Sequence, residues 1–365
     1  MKRLFFLLLI GFLFTGCAHT NTGIAGPIAC ADENKNIQLV KDGAMSIHFL
    51  ELGNKYTGDC IYINYGNIDI LIDAGSRTSS AVTIKEYIDQ FCKDGILEYV
   101  IATHAHQDHI AAFCSTASIT GILDAYKIGT IIDFPLTNSA SAISRNYVNT
   151  RNRLVEAGTS HFTALQCYNN EGNARRIYDF SGGVKMEILY NYFYENQTKD
   201  ENNYSVCLMI IHNNRKFLFT GDLEADGEYL LVDYYKTHHG GLGHCVLYKG
   251  AHHGSNTSSG EVLMAAITPE YICVCTCAGT TEYKAAPANV FPSQDFIFRT
   301  APYTDKIYLT TLIKDYSRND YSSYNGNIIF WASNDTITVQ CSADNQILKN
   351  SEWFLKNRIM PDPWK

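Results

Sequence analysis

Thr103-His104-Ala105-His106-Gln107-Asp108-His109 puts three imidazoles and a carboxylate side by side, directly after the apolar run 97–102. Packing explains this poorly. Protonated histidines so close repel, and neutral buried ones each need a hydrogen-bond partner, so a shared cation is the cheaper account. The segment 97–103 (L-E-Y-V-I-A-T) is β-branched and apolar enough for a buried strand, and the pattern from Ile110 opens a helix. On a strand-to-helix loop His104 and His106 point to one side, Asp108 and His109 to another, which suits two adjacent metals.

Working outward, 45–50 alternates as a strand, and two further strands end in Ile70-Leu71-Ile72-Asp73-Ala74-Gly75. Residues 81–93 and 141–158 have helical spacing, 127–134 and 183–192 read as strands, and 306–340 looks like a closing three-stranded edge. Lys216-Phe217-Leu218-Phe219-Thr220-Gly221-Asp222 is an apolar strand ending in Gly-Asp, where a carboxylate can serve two metals, one through each oxygen. A further strand runs into His252-His253-Gly254-Ser255, whereas His238, His239 and His244 fall in a Gly-rich, solvated loop.

The H-x-H-x-D-H pattern, with Asp73 and Gly75 ahead of it, resembles the metallo-β-lactamase superfamily. The resemblance implies an α/β fold, a single-domain four-layer αββα sandwich over 45–341. It makes Asp73 a loop-bracing carboxylate behind the metal site and Asp222 a bridging ligand. One divalent metal would be held by His104, His106 and Asp222, the second by Asp108, His109, His252 and Asp222. Zinc suits these ligands, and manganese or iron also fit mixed N/O sites. Asp108 serves catalysis as well as coordination, His253 is a substrate contact or proton donor, and Asn203 is a substrate contact.

Two branches are nearest. Gly58-Asp59 and the His-His-Gly-Ser tetrapeptide resemble competence-type (DNA-uptake) hydrolases. Asn202, Asn203 and Ser205 stand where lactam-cleaving members carry a third histidine, as in the competence-type and phosphorylcholine-esterase-like branches. The aromatics of 190–196 (Y-N-Y-F-Y-E-N) also resemble the latter, although residue by residue they read as a packed strand end. Competence-type relatives carry a histidine before a proline further on. Here Glu282-Tyr283-Lys284-Ala285-Ala286-Pro287 has alanine, which argues against nucleic acid as substrate.

The formal net charge of -8, with 29 Lys+Arg against 37 Asp+Glu and no basic run beyond the N-terminus, points the same way. Lys2 and Arg3, the apolar 4–14 and Thr15-Gly16-Cys17 resemble a bacterial lipoprotein signal over 1–17, with Cys17 lipidated and Phe14 a departure. Residues 18–44 then read as a tether and 342–365 as a C-terminal tail. Without Cys17 the twelve cysteines become an odd set, so a complete disulfide framework is excluded. Alternate spacing puts Cys273, Cys275 and Cys277 on one strand face as small hydrophobes.

The expectation is therefore an exported, membrane-anchored dinuclear hydrolase. It would cleave a small-molecule or envelope-polymer phosphodiester through a metal-bridging hydroxide. A competence-type nuclease and a noncatalytic binding lipoprotein are the alternatives.

Overall fold

The computed structural model describes residues 44–282, 290–315, 317–333 and 336–365. The expected signal, Cys17 and the tether up to residue 43 lie outside the described residues.

Two eight-stranded mixed sheets pack face to face. The first has the order β16-β15-β1-β2-β3-β4-β5-β6. Its strands are β1 (Met45–Phe49), β2 (Ile61–Tyr65), β3 (Ile68–Ile72), β4 (Ile96–Ala102), β5 (Lys127–Asp133), β6 (Ser160–Thr163), β15 (Ile328–Ala332) and β16 (Ile337–Cys341). The second has the order β14-β13-β12-β11-β10-β9-β8-β7. It comprises β7 (Ile177–Asp179), β8 (Val184–Ile188), β9 (Leu208–His212), β10 (Arg215–Phe219), β11 (Leu247–Lys249), β12 (Tyr271–Ala278), β13 (Ile307–Asp315) and β14 (Asp320–Ser323). In each sheet antiparallel pairing gives way to parallel pairing midway, at the β3–β4 pair in the first and the β10–β11 pair in the second, and the second returns to antiparallel at its β13–β14 edge.

The second sheet shows why the sandwich has helical outer layers. Leu208, Ile210, Phe217, Phe219, Leu247, Cys273 and Cys275 face the first sheet, while the intervening Met209, Leu218, Tyr248 and Val274 face outward into a separate core. A period of two with both faces apolar demands cover on each side. Four helices supply it for the second sheet: α6 (Ala225–His239), α7 (Glu261–Ile267), α8 (Gln294–Thr300) and α9 (Glu352–Asn357). On the first sheet the outer layer comes from α1 (Ser80–Ile88), α2 (Gln107–Ile110), α3 (Ile122–Ala125), α4 (Ala142–Glu156) and α5 (Ala164–Asn169). The result is a four-layer αββα sandwich in one domain, the architecture that the resemblance implied.

Several details differ from the sequence reading. Strand β1 is buried on both faces rather than alternating, because α1 covers its outer side. The 306–340 segment is not one edge. β13 and β14 join the second sheet, whereas β15 and β16 cross to the first. His238 and His239 sit on the last turn of α6, although exposed as expected. Residues 342–365 are not a loose tail: Leu348, Phe354 and Trp364 are buried in the outer core of the second sheet.

Candidate metal centre

The site lies where β3, β4, β10 and β11 end, so each candidate ligand follows a strand fixed by sheet pairing. After β4 the chain turns through 103–109. After β3 comes Asp73, at φ 60°. After β10 comes Gly221-Asp222, and β11 ends in Lys249 just before His252 and His253.

Two close backbone approaches set the local shape. A Cβ on Gly75 would lie 1.5 Å from the Asp108 carbonyl oxygen, so only glycine lets the Asp73 turn pack on the histidine loop. Gly221 has φ +55°, and a Cβ there would meet Ser205 Oγ at 2.7 Å and Thr103 Cβ at 3.0 Å.

Asp73 accepts from the Thr103 backbone N–H, from Thr103 Oγ1 and from His109 Nδ1, each at 2.7 Å. This is the bracing position expected of it. Its contact puts the His109 proton on Nδ1 and leaves Nε2 as a lone pair, 3.0 Å from Asp222 Oδ2. His253 repeats the pattern. Its Nδ1 donates to the Cys275 carbonyl at 3.0 Å, with Asp59 Oδ1 at 3.2 Å, and its Nε2 faces Asp222 Oδ2 at 3.2 Å and Asp108 Oδ2 at 3.4 Å. His253 Nε2 is buried and has no hydrogen-bond partner among the described residues. Lone pairs meeting carboxylate oxygens at these distances call for a cation between them.

Without a metal only protons can supply that charge. Burial disfavours the imidazolium of His109, yet the carboxylates of Asp222 and Asp73 outweigh it and push the group up to about 10. His253 moves up for the same reason, through Asp222 and Asp59 against burial. Burial would also raise Asp222, but His109, His253 and Lys249 hold it well below the carboxylate range. His104 goes the opposite way, pushed down by burial and by its neighbours His109 and His106. Its Nε2 is 3.1 Å from His106 Nδ1, and its Nδ1 is 3.2 Å from Thr103 Oγ1.

The described residues hold overlapping sets with ligand atoms within 4.8 Å of one another. These are His104, His109 and Asp222; Asp108, His109 and His253; Asp59, Asp222 and His253; and Asp59, Asp73 and His109. His104, Asp108, His109 and Asp222 are thus brought together as the sequence reading expected, and His106 reaches them only through its contact with His104. His106 and Asp108 are partly buried, whereas His104, His109 and Asp222 are fully so. The donor set fits divalent metals in mixed N/O coordination.

Three expectations are corrected. His252 is not at the centre. Both histidines are left-handed, at φ 44° and 53°, and the resulting twist sends the His252 ring outward to Thr257 Oγ1 at 3.1 Å and Glu224 Oε1 at 3.3 Å while His253 turns in. Asn203 is not poised for substrate. It is 5 % exposed, and its Oδ1 accepts from the Glu224 backbone N–H at 3.2 Å. Asp222 does not offer one oxygen to each of two metals, because Oδ1 accepts from Lys249 Nζ at 3.0 Å and from the His252 backbone N–H at 3.1 Å. Only Oδ2 faces the imidazoles.

Lys249 and Asp59 were missed as parts of the site. The ammonium is 1 % exposed and is held by Asp222, the Gly221 carbonyl and the Asp59 carboxylate. A lysine inside the apolar V-L-Y-K-G-A stretch was the available signal, since lysine is almost never buried without a partner. Glu201 was also missed. It accepts from the Ala105 backbone N–H at 3.2 Å, Thr137 Oγ1 at 2.7 Å and the Asn138 backbone N–H at 2.6 Å, tying the histidine loop to its neighbours.

Comparison with known proteins follows the same lines. Residues 53–114 match the metallo-β-lactamase superfamily. Over 89 residues the chain is 43% identical to competence protein ComA of Neisseria gonorrhoeae, covering 24% of this chain and 12% of that relative. The likeness is therefore confined to a small part of a much longer protein. Among solved structures, the metallo-β-lactamase fold protein YhfI of Bacillus subtilis aligns with TM-score 0.45 at 10% identity, over 80% of this chain and all of that one. The diiron β-hydroxylase CmlA of Streptomyces venezuelae aligns with TM-score 0.38 at 12% identity, over 63% and 44% of the two chains. Such distant likenesses carry no argument about the reaction. The sequence match spans Asp59, Asp73 and the whole 103–109 turn, and the sandwich delivers Asp222 and His253 to the same point, so the likeness to the metallo-β-lactamase superfamily covers the histidine-loop half of the site.

Proposed function

We propose that this protein is a metal-dependent hydrolase of a cell-envelope phosphodiester, exported and anchored by a lipid on Cys17. One observation carries the hydrolase reading: the Nε2 lone pairs of His109 and His253 converge on a single oxygen of Asp222, beside the only partly buried His106 and Asp108. Divalent metal there, zinc or else manganese or iron, supplies a Lewis acid for a phosphoryl oxygen and an activated water at neutral pH.

The chain's own residues prepare that chemistry. Asp73 fixes the His109 tautomer, and Asp59 and the Cys275 carbonyl fix that of His253, so Nε2 is the ligand atom in both. Lys249 and the His252 amide hold Asp222 in one orientation. Ser205 Oγ accepts from the Asp222 backbone N–H at 3.0 Å and lies 3.5 Å from His104 Nδ1, and the resemblance implies that lactam-cleaving relatives carry a third histidine near this point in the chain. That replacement supports a phosphoric ester over a lactam. The lipoprotein-like start of the chain supports an envelope substrate.

The local likeness to a competence protein favours a nuclease as second reading, against which the net charge of -8 counts. Protein lacking the first 17 residues, with its metal content measured, is to be assayed on bis-p-nitrophenyl phosphate, p-nitrophenyl phosphorylcholine and single-stranded DNA. The reading expects metal-dependent cleavage of one or both small esters with DNA intact. Cleavage of DNA would reverse the ranking, and bound metal with no ester hydrolysed would make this a binding protein.

A further inference from the structure

The two outer helical layers differ in what they show to solvent. On the first sheet, among the described residues, only Val82 of α1 and Val155 of α4 are exposed large apolar residues of the helices. On the second, Tyr229 of α6, Val262 of α7, Phe298 of α8 and Leu355 of α9 are exposed, with Ile359 just past α9, and Leu355 and Ile359 reach 61% and 66%. We propose that this face docks on the lipid bilayer that anchors the chain, with Leu355, Ile359 and Phe298 entering the headgroup boundary. The inference rests on the lipid anchor at Cys17 proposed above.

Single exposed apolar residues are ordinary, whereas a connected row of them marks an interaction surface. Here hydrogen bonds connect the row. The Gln294 side-chain amide donates to the Ile359 carbonyl at 3.0 Å and accepts from the Ile359 N–H at 2.7 Å, seating Ile359 against the first turn of α8, where Phe298 follows one turn along the same side. Arg299 donates to the Ser258 and Ser259 carbonyls at 2.7 and 3.1 Å, and Glu228 accepts from the Ser259 and Gly260 N–H groups, each at 2.6 Å. The turn that opens α7 is thereby tied to both α6 and α8, and the exposed residues of the four helices share one layer.

The occupant follows from the chain that precedes the described residues. Residues 18–43 separate Cys17 from the domain. A flexible tether of that length has an end-to-end distance of about 25–31 Å, so the helical face reaches the bilayer in which the Cys17 lipid sits. Confinement at that range makes effective a contact too weak for free protein, and one acyl chain alone holds a protein only reversibly, so a second contact matters. Lys356 is exposed beside Leu355, and Arg358 lies 4.7 Å over the Trp353 ring, a pairing of aliphatic stem, cation and indole suited to a headgroup boundary. Exposed Glu352, Asp295 and Glu261 stand among them. The face is therefore not a polybasic one, and its attraction is for the apolar boundary rather than for anionic lipid.

The test uses the full chain reconstituted with vesicles of phosphatidylcholine, which has no net charge, carrying brominated acyl chains as quenchers. Leu355→Trp reports on the face and Val155→Trp, on the opposite outer layer, is the control, each read against wild type. Both should float with the vesicles. The emission added at 355 should fall about twofold or more, as expected of a side chain about 5–10 Å into the headgroup boundary, and that at 155 should be unchanged. Flotation with 355 unquenched, or with both positions quenched alike, would overturn the docking and leave the anchor standing; failure to float would overturn both. A dimer of protein lacking the first 17 residues, split by Leu355→Asp with Ile359→Asp in sedimentation, would give the face to a second copy and overturn the proposal as well. Ester hydrolysis enters none of these readouts, so the hydrolase reading stands or falls separately.

Discussion

Asp222 has two oxygens with different duties, one turned to the imidazoles and one held by Lys249. The ammonium neutralises charge among buried carboxylates, so Lys249→Met should cost about 3–5 kcal/mol in chelator-treated protein. Urea denaturation with and without metal measures this, and the cost should shrink once metal is present. A loss under about 1 kcal/mol would mean that Asp59 and Asp222 do not depend on the lysine. Residue types in the sequence pointed to His104, His106, Asp108, His109, Asp73 and Asp222 because each sits at a strand end in a spacing with one chemical explanation. The choice between His252 and His253 was not legible. It turns on two consecutive left-handed residues, which histidine identity does not foretell. The partner of Lys249 was equally hidden, since Asp59 lies 190 positions away in sequence.

At the scale of elements, the strongest periodicities were read correctly: 127–134 is β5 and 141–158 contains α4. What failed was the assignment of strands to sheets. Alternation says that β13 to β16 are strands, but only packing decides which sheet each one joins. The C-terminal segment was misjudged because its apolar residues are sparse, although Leu348, Phe354 and Trp364 are all buried. At about 1.5–3 kcal/mol for each such side chain, truncation after Cys341 should destabilise the domain by several kcal/mol. A lowered denaturation midpoint checks this, and an unchanged one would restore the reading of a tail. Gly75→Ala tests the contact between the two site loops. With a Cβ 1.5 Å from the Asp108 carbonyl, the turn must shift at a cost of about 1–3 kcal/mol or more, and metal affinity should fall with it, as read by competition with a chelator.

Across the whole molecule, stability should depend on pH through His48, which is buried between Tyr87 Oη and Ser46 Oγ, each 2.8 Å away. Burial pushes this imidazole down to about 3. Its unfolded counterpart titrates near 6.5, so between those values the unfolded chain binds the extra proton. The contribution is therefore complete above about pH 6.5 and is lost as pH falls toward 3, by up to about 1.4 kcal/mol per unit. His48→Gln should lose less stability than wild type between pH 7 and pH 4.5 in urea denaturation, and parallel curves would contradict this. The two sheets, meanwhile, serve chiefly to bring four strand ends to one point, and the claim that this point holds metal is the one most open to direct measurement. Metal-to-protein ratios from elemental analysis of wild type, His252→Ala and His253→Ala decide it. Two divalent ions per chain are expected in wild type and in His252→Ala, with a clear loss in His253→Ala. Wild-type protein without stoichiometric metal, or loss in His252→Ala alone, would contradict the account.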